Sequence, residues 1–431
     1  MQLRYNYRVY PDASQRRALA QAFGCARVVW NDCLRARKEA HRDGLPYASS
    51  AQLSRELITQ AKQTPERSWL GNAPAVALQQ SLRDLESAFR NFFASAAGRR
   101  KGPKVGPPRY KSKRDSRQSV RLTRTAFRLK ENGHVYVARI GNLKVSWSRP
   151  LPAAPSSLTI VKDSAERYFA SFVVDAGLTP LPAVETEVGI DLGLSTFAVL
   201  SDGTKISSPR FLRRAEKKLK RMQRELSRKR KGSKNHTKAR AKVARQHARV
   251  ADRRRDWHHK QSTLVIRDNQ AVYVEDLAVR AMARTRLAKS VYDAGWATFV
   301  HMLEYKAAKH GRHFGKIGRF EPTSQVCSAC GHRDGPKPLR IREWTCQRCG
   351  AVHDRDENAA INTLAAGRAD RLNASWSAGR TGTRVLAPRN EAGSPPNGVS
   401  AVAGPPGRMP GGARQLSLPP LSLSPPAPMD S

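Results

Sequence analysis

The residues best suited to chemistry in this chain are thiols and carboxylates, and they cluster. Four cysteines form two knuckles, Cys327-Ser-Ala-Cys330 and Cys346-Gln-Arg-Cys349, followed at once by an acidic knot, His353-Asp354-Arg355-Asp356-Glu357-Asn358. Far upstream, Asp191 sits in Val-Gly-Ile-Asp-Leu-Gly and Glu275 in Val-Tyr-Val-Glu-Asp-Leu, both strand-like settings. Fifteen residues separate Cys330 from Cys346. That spacing suits one Zn²⁺ shared by two knuckles. Gly331 and Gly350 follow the knuckles and let the backbone turn beneath the thiolates. Four thiolates close a tetrahedral shell, so the ion is structural. A redox dithiol would need only one pair. His332 and His353 are spare imidazoles nearby.

The carboxylates call for a harder cation. Phosphodiester hydrolysis needs an activated water and stabilisation of the charge on the leaving oxygen. Two Mg²⁺ ions about 3.5–4 Å apart, on oxygen ligands, supply both. Acids on neighbouring central strands and on one packing helix would provide those oxygens. Asp191 lies between Ile190 and Leu192, and Glu275 ends the apolar run Ala271-Val-Tyr-Val. An unpaired buried acid is costly, and a cation relieves that cost. Taken singly, each acid reads equally well as a strand-end or ion-paired residue. Within the knot, Asp354 or Asp356 can cap a helix; one acid suffices for that, and capping leaves Asp-Arg-Asp-Glu unexplained. The small residues of Ala359-Ala-Ile-Asn-Thr-Leu-Ala-Ala would let that helix pack close to a sheet. The combination points to a metal-dependent nuclease with a zinc ribbon set just before its last acid.

The elements that must position these groups follow from periodicity. Leu3, Tyr5, Tyr7 and Val9 alternate as a half-buried strand does. Asp12 or Ser14 then caps a helix with the stripe Leu19, Ala22, Ala26, Val29, Cys33. A short helix carries Leu53, Leu57 and Ala61, and a third carries Leu78, Leu82, Leu85, Phe89 and Phe92. Residues 12–97 thus read as a helical module. A basic Gly/Pro connection follows at 98–117. From about 118 to 176, Val135/Val137, Leu143/Val145/Trp147 and Phe169/Ser171/Val173 alternate, which predicts a small β-barrel joined by the first strand. After a linker at 177–185, residues 188–203 read as a β-hairpin bearing Asp191. Two long helices come next, with a break at Gly232-Ser233. Over 210–260 they hold 22 Lys/Arg against 4 Asp/Glu. Charge that one-sided predicts a nucleic-acid contact rather than a solvated face. A helix is expected at about 293–310, and beyond about 366 the Gly, Pro and Ser content predicts disorder.

Composition agrees. The 431 residues carry 78 Lys+Arg against 35 Asp+Glu, a formal net charge of +43, which demands a polyanionic partner. No apolar run reaches about 18 residues, so a membrane partner is not expected. The start lacks the apolar centre of a signal peptide. Paired cysteines fit metal binding in a reducing compartment, and Cys25 and Cys33 read as buried thiols. The expected location is the cytoplasm, at the nucleoid.

These residues resemble the TnpB (OrfB-type) proteins of bacterial and archaeal insertion sequences, RNA-guided DNA endonucleases related to the type V CRISPR effectors. The likeness rests on Gly189-Ile-Asp-Leu-Gly, Val274-Glu-Asp-Leu, Asp293-Ala-Gly-Trp296, Leu303-Glu-Tyr-Lys-Ala-Ala308, the ribbon with Trp344-Thr-Cys346, and His353-Asp-Arg-Asp-Glu-Asn-Ala-Ala360, with Val76-Ala-Leu-Gln-Gln-Ser-Leu82 and Asn91-Phe-Phe93 in the first half. It covers about residues 1–366. It implies an α/β multidomain chain: a wedge β-barrel (1–11 and 98–180), a helical recognition module (12–97), an RNase H-like (RuvC-like) nuclease domain (181–322 and 352–366), an inserted zinc ribbon (323–351) and a disordered tail (367–431). It implies a catalytic triad of Asp191, Glu275 and Asp356 holding Mg²⁺, with Asp354 as the competitor for the third place. Cys327, Cys330, Cys346 and Cys349 would hold Zn²⁺. Gln79 aligns with a position near the short motif flanking the target. The implied partners are a guide RNA from the transposon end and double-stranded target DNA, in a monomeric ribonucleoprotein. Two rivals stand beside this reading. A DNA-joining transposase of the same fold carries Asp, Asp, then Glu, whereas the order here is Asp, Glu, Asp. A non-catalytic zinc-ribbon regulator would not need Asp191 or Glu275.

Overall fold

The opening alternation becomes β1 (Gln2–Val9), with Tyr5, Tyr7 and Val9 buried. In this computed structural model, which describes residues 1–115, 117–338 and 340–381, β1 is the middle strand of a seven-stranded antiparallel sheet. Its other members are β2 (Gln118–Thr123), β3 (Phe127–Leu129), β4 (His134–Val137), β5 (Gly141–Ser146), β6 (Ser157–Lys162) and β7 (Tyr168–Asp175). The order is β2-β6-β7-β1-β5-β4-β3, and no ladder among the described residues joins β2 to β3. Hydrogen bonding therefore does not close the expected barrel. In β7 the side facing the core is Tyr168, Ala170, Phe172 and Val174, not Phe169 and Val173. Phe169 lies on the other face, under the guanidinium groups of Arg8 and Arg167.

Between β1 and β2 run α1 (Ala13–Arg42), α2 (Ser50–Ser54) and α3 (Ala75–Ala96). Asp12 and Gln15 make a reciprocal capping box at the start of α1. The helix expected around Leu53 is short: α2 gives way to a π-turn at Arg55–Gln60 and a 3-10 turn at Ala61–Gln63, ahead of Pro65. The helices and the sheet share one core, from Leu19 and Leu78 to Phe172. The basic connection is pinned to α1, where Trp30 Nε1 donates to the Arg109 carbonyl and Asn31 bonds both the N–H and C=O of Lys111.

The second half is built on a five-stranded sheet: β8 (Glu187–Asp191), β9 (Thr196–Leu200), β10 (Lys205–Ser207), β11 (Ala271–Glu275) and β12 (His313–Ile317), in the order β10-β9-β8-β11-β12. β8, β11 and β12 are parallel, and β9 and β10 extend the sheet antiparallel. The basic segment forms α4 (Phe211–Ser227) and α5 (Lys234–Asp268), folded back on each other through Gly232 at φ +86°. After β11 come α6 (Val279–Met282), α7 (Ala288–Ala294) and α8 (Trp296–His310). The helix expected at 293–310 is interrupted at Gly295, which is left-handed at φ +69°. Just before that break, the buried Asp293 carboxylate accepts from the N–H groups of Leu212 and Arg213 and so caps α4 from a distance.

The ribbon's hairpin, β13 (Glu343–Thr345) and β14 (Val352–Asp354), runs without a loop into α9 (Arg355–Thr381). Residues 367–381, expected in the disordered tail, are helical; the rest of that tail lies outside the described residues. The extension packs at Gly367 against Tyr273 and is tied to β8 by Arg368 and Arg371, both on Glu187. Met1–Ser377 forms one compact unit. A Cβ at Gly189 would fall 2.2 Å from the Ala360 carbonyl and 2.5 Å from the Leu364 nitrogen. Only glycine in β8 permits α9 to lie this close. Gly189→Ala should therefore destabilise the fold by about 1–3 kcal/mol, as overpacking does. Differential scanning fluorimetry of the full chain should show a melting temperature lower by several degrees, and an unchanged value would refute the close packing.

Candidate active site

Parallel strands place chemistry at their C-terminal ends, and both upstream acids are there. Asp191 is the last residue of β8 and Glu275 the last of β11, on adjacent strands with Ile190 paired to Val274. Asp356 enters in the first turn of α9. The structure thus brings these three side chains together. Burial pushes the Asp191 carboxyl up from 3.8 to about 8, reinforced by the negative charges of Glu275 and Asp356, with Arg355 and Arg342 offsetting part of the rise. Three half-buried acids within electrostatic reach of one another form a donor set that fits a hard divalent cation.

Asp354 has the other role. Its Oδ1 accepts from the N–H groups of Asp356 and Glu357, and its Oδ2 pairs with Lys205 Nζ at 2.6 Å. It is the helix cap. Its pKa is lowered: burial pushes it up, but the Lys205 bond and the two backbone donors outweigh that. The Asp356 carboxylate is left free to face Arg342, whose Nη1 lies 3.1 and 3.2 Å from its two oxygens. Arg342 Nη2 also reaches Ser195 Oγ at 3.5 Å.

Several positioning residues lie outside the motif reading. Thr323 Oγ1 donates to Glu275 Oε1 at 2.6 Å. Its carbonyl accepts from Asn358 Nδ2 and Asn362 Nδ2, which also both donate to the Val326 carbonyl. Asn358 Oδ1 accepts from the Ser328 N–H inside the first knuckle. One node therefore ties ribbon, helix and Glu275. Asn358 is 1% exposed, so its amide is fully committed there. Its place in the acidic knot was visible, but its partners are remote in sequence.

The four cysteine sulfurs all lie within 4.8 Å of one another, the one such group of three or more potential ligands among the described residues. The three carboxylates stand wider than that. Cys327–Cys349 and Cys330–Cys346 are each 3.7 Å apart. Tetrahedral Zn–S bonds of about 2.3 Å require sulfurs about 3.8 Å apart, whereas a disulfide needs about 2.0 Å. The thiols fit Zn²⁺. His353, read as spare, has Nε2 3.0 Å from Cys327 Sγ, beyond a bonding role in a closed four-sulfur shell and suited to an N–H···S contact.

Gln79 is exposed on α3, in the first half of the chain. On the same helix, Ala77, Ser81 and Asp84 line a cavity of about 470 Å³. Arg4, Arg27, Lys111, Arg117 and Arg121 also line it, a basic cleft that no local pattern announced.

Two expectations follow. In Mg²⁺-free buffer, the raised Asp191 pKa disfavours the folded state progressively as pH climbs from about 4 to about 8. The melting temperature of Asp191→Asn minus that of wild type should therefore be small near pH 4.5 and positive and larger at pH 8; a difference flat with pH would contradict the crowding. Cys327→Ser should lower bound zinc, read by elemental analysis, and raise amide exchange at the start of α9. Full zinc with unchanged protection would count against the ribbon as the anchor of that helix.

Comparison with known proteins gives the family. A profile described as "Probable transposase" (OrfB of IS605) matches residues 162–286, and one described as "Cas12f1-like, TNB domain" matches 296–363. A third, described as a helix-turn-helix domain, matches 1–45, where the structure has β1 and one continuous helix instead. A protein of Streptomyces pristinaespiralis named an RNA-guided DNA endonuclease is 45% identical over 85% of this chain and 89% of its own length. InsQ of Escherichia coli (strain K12), also named an RNA-guided DNA endonuclease, is 31% identical over 85% and 92%. Among solved structures, the Cas12f1–sgRNA–target DNA complex aligns with a TM-score of 0.49 and 16% identity over 82% of this chain and 83% of that one. On the first of these relatives, with one profile spanning Asp191 and Glu275 and the next spanning Asp356, the chain belongs to the TnpB (OrfB-type) family of insertion-sequence proteins.

Proposed function

We propose that this chain is an RNA-guided DNA endonuclease that hydrolyses phosphodiester bonds at Asp191, Glu275 and Asp356. The observation that carries the reading is the placement of those carboxylates at the C-terminal ends of the adjacent strands β8 and β11 and in the first turn of α9. The names of the two relatives support the same activity. Bound Mg²⁺, on these oxygens, would supply the positive charge that activates a water and steadies the leaving oxygen.

The chain's own residues do the rest. Asp191, whose carboxyl is pushed up by burial and by the neighbouring Glu275 and Asp356, would give an oxygen to a bound cation. Thr323 fixes the rotamer of Glu275 through its 2.6 Å hydrogen bond. Asp354 caps α9 and keeps Asp356 at the sheet. Arg342, from the ribbon, pairs with the Asp356 carboxylate and brings positive charge within reach of Asp191. The ribbon, loaded with Zn²⁺ on Cys327, Cys330, Cys346 and Cys349, is the rigid mount for that end of α9.

The partners follow from charge. A guide RNA from the end of the encoding element pairs with one target strand, so base pairing reads the sequence. The protein reads backbone and shape, which suits the α4/α5 hairpin and the basic cleft lined by Arg4, Arg27, Lys111 and Arg121; Gln79, exposed on another face of α3, is proposed to lie near the short motif flanking the target. The seven-stranded sheet and its helices act as wedge and recognition module, and β8–β12 with α9 as the RuvC-like nuclease. We assign a monomeric ribonucleoprotein at the nucleoid; among the described residues no helix is long and apolar enough to cross a membrane. The transposase description of the first profile favours DNA joining as a second reading, but the Asp, Glu, Asp order weighs against it.

The test is direct. Purified protein should carry RNA from its own locus and should cut a matched plasmid only with Mg²⁺. Asp191→Ala should lose cutting by at least about a thousandfold while binding the plasmid as well as wild type. Cutting at the wild-type rate by that variant would end the site assignment.

A further inference from the structure

Phe320 is 91% exposed, more than any other large apolar side chain among the described residues. Most of the other exposed aromatics are tyrosines, whose hydroxyl water solvates; a bare phenyl ring gains nothing from solvent. No aromatic ring or cation among the described residues stacks on it. A mobile loop could leave a ring idle, but this loop is fastened at both ends to the active site. Phe320 comes three residues after Ile317, which pairs with Glu275 across β12 and β11. Arg319 bonds the Asp276 carbonyl at 3.2 Å and also pairs with the Asp276 carboxylate. The Glu321 N–H closes a turn onto the Gly318 carbonyl at 3.3 Å, and Thr323 bonds Glu275 itself. The ring thus projects from a fixed turn, with its Cα no more than about 15 Å from that of Glu275 by chain reach.

We propose that Phe320 is a stacking platform for one unpaired nucleobase of the strand being cut. The inference rests on the nuclease reading above and adds a substrate subsite to it. Every base offers a π-face, so a phenyl platform accepts any sequence. That tolerance is what a site needs when specificity is set elsewhere by pairing. The setting also matches the rest of a nucleotide. Arg342 and Arg355 bring positive charge to Asp191, where the backbone phosphate must lie, and the ring stands to one side at the edge strand. A ribose–phosphate held at the acids with its base stacked on Phe320 is oriented at two points, which limits rotation of the scissile bond relative to the carboxylates.

The experiment uses the full chain with its co-purified RNA. In an Asp191→Ala background, a single-stranded oligonucleotide carrying 2-aminopurine should be quenched on binding. Phe320→Ala should abolish the quench and weaken binding about tenfold, and Phe320→Trp should keep both. In the active background, Phe320→Ala should cut matched plasmid about tenfold more slowly at limiting protein, with Phe320→Trp near wild type. Equal quench and equal binding in Phe320→Ala would overturn the proposal, as would failure of tryptophan to substitute. Failure of the nuclease reading would look different: wild type would not cut at all. In that case the 2-aminopurine arm decides alone whether Phe320 stacks a base.

Discussion

Three carboxylates gathered in one place resist being charged together, and the second half of the molecule is arranged to hold them there. Asp191, Glu275 and Asp356 come from two parallel strands and a helix that is distant in sequence. Nothing local favours their meeting. The force that brings them together is apolar: β8 and β11 are buried from end to end but for their tips, and α9 lies on them with its Ala360 and Leu364 against Gly189 and its Gly367 against the Tyr273 ring. Gly189 is the narrowest point of that contact. The energetic cost of the charge cluster is thus borne by packing a few residues away, and a cation converts the same repulsion into affinity.

The four-cysteine ribbon is mechanical in this arrangement. Its last strand, β14, ends at Asp354, and Asp354 is the cap of α9, so the hairpin and the helix share a residue. The knuckle backbone at Ser328 and Val326 is bound by Asn358 and Asn362. The same asparagines hold Thr323, and Thr323 holds Glu275. A metal-stapled hairpin of this kind needs little core of its own, which consists here of Cys327, Trp344 and Cys346. It positions a helix terminus with fewer residues than a hydrophobic subdomain would take.

Charge governs the periphery. Away from its root the α4/α5 hairpin buries only Leu219 on α4 and Val250 near the middle of α5; the other buried side chains of α5, His258, Ser262, Val265 and Ile266, lie toward its C-terminal end. It is steadied at its root instead, by Asp293 capping α4 and by Lys306 of α8, buried and bonded to the His259 carbonyl and the hydroxyls of Ser262 and Thr263. Burial lowers the Lys306 pKa to about 8. Between those anchors the hairpin presents cations to solvent, which repel one another until a polyanion neutralises them.

By itself the sequence determined the parts whose information is local. Period-two and period-three-to-four patterns located β1, α1, α3, the basic hairpin, β8 and β11, because solvent exposure alternates with backbone geometry. Cysteine spacing picked out the four thiols that the structure clusters, because two short turns bring each pair together. The resemblance to the TnpB family, by motif position, implied Asp191, Glu275 and Asp356 as the triad proposed above. Tertiary structure alone decided which acid of the knot caps and which faces the strands, since Asp354 and Asp356 differ only in where β14 stops and α9 begins. It alone decided that the seven strands share a core with the helices without a closing ladder, that residues 367–381 continue as helix on Tyr273 and Glu187, and that Thr323, Asn358 and Arg342 orient the acids. The reason is the same each time: these outcomes depend on partners scores of residues away or on an exact fit of surfaces, and neither leaves a periodic trace in the chain.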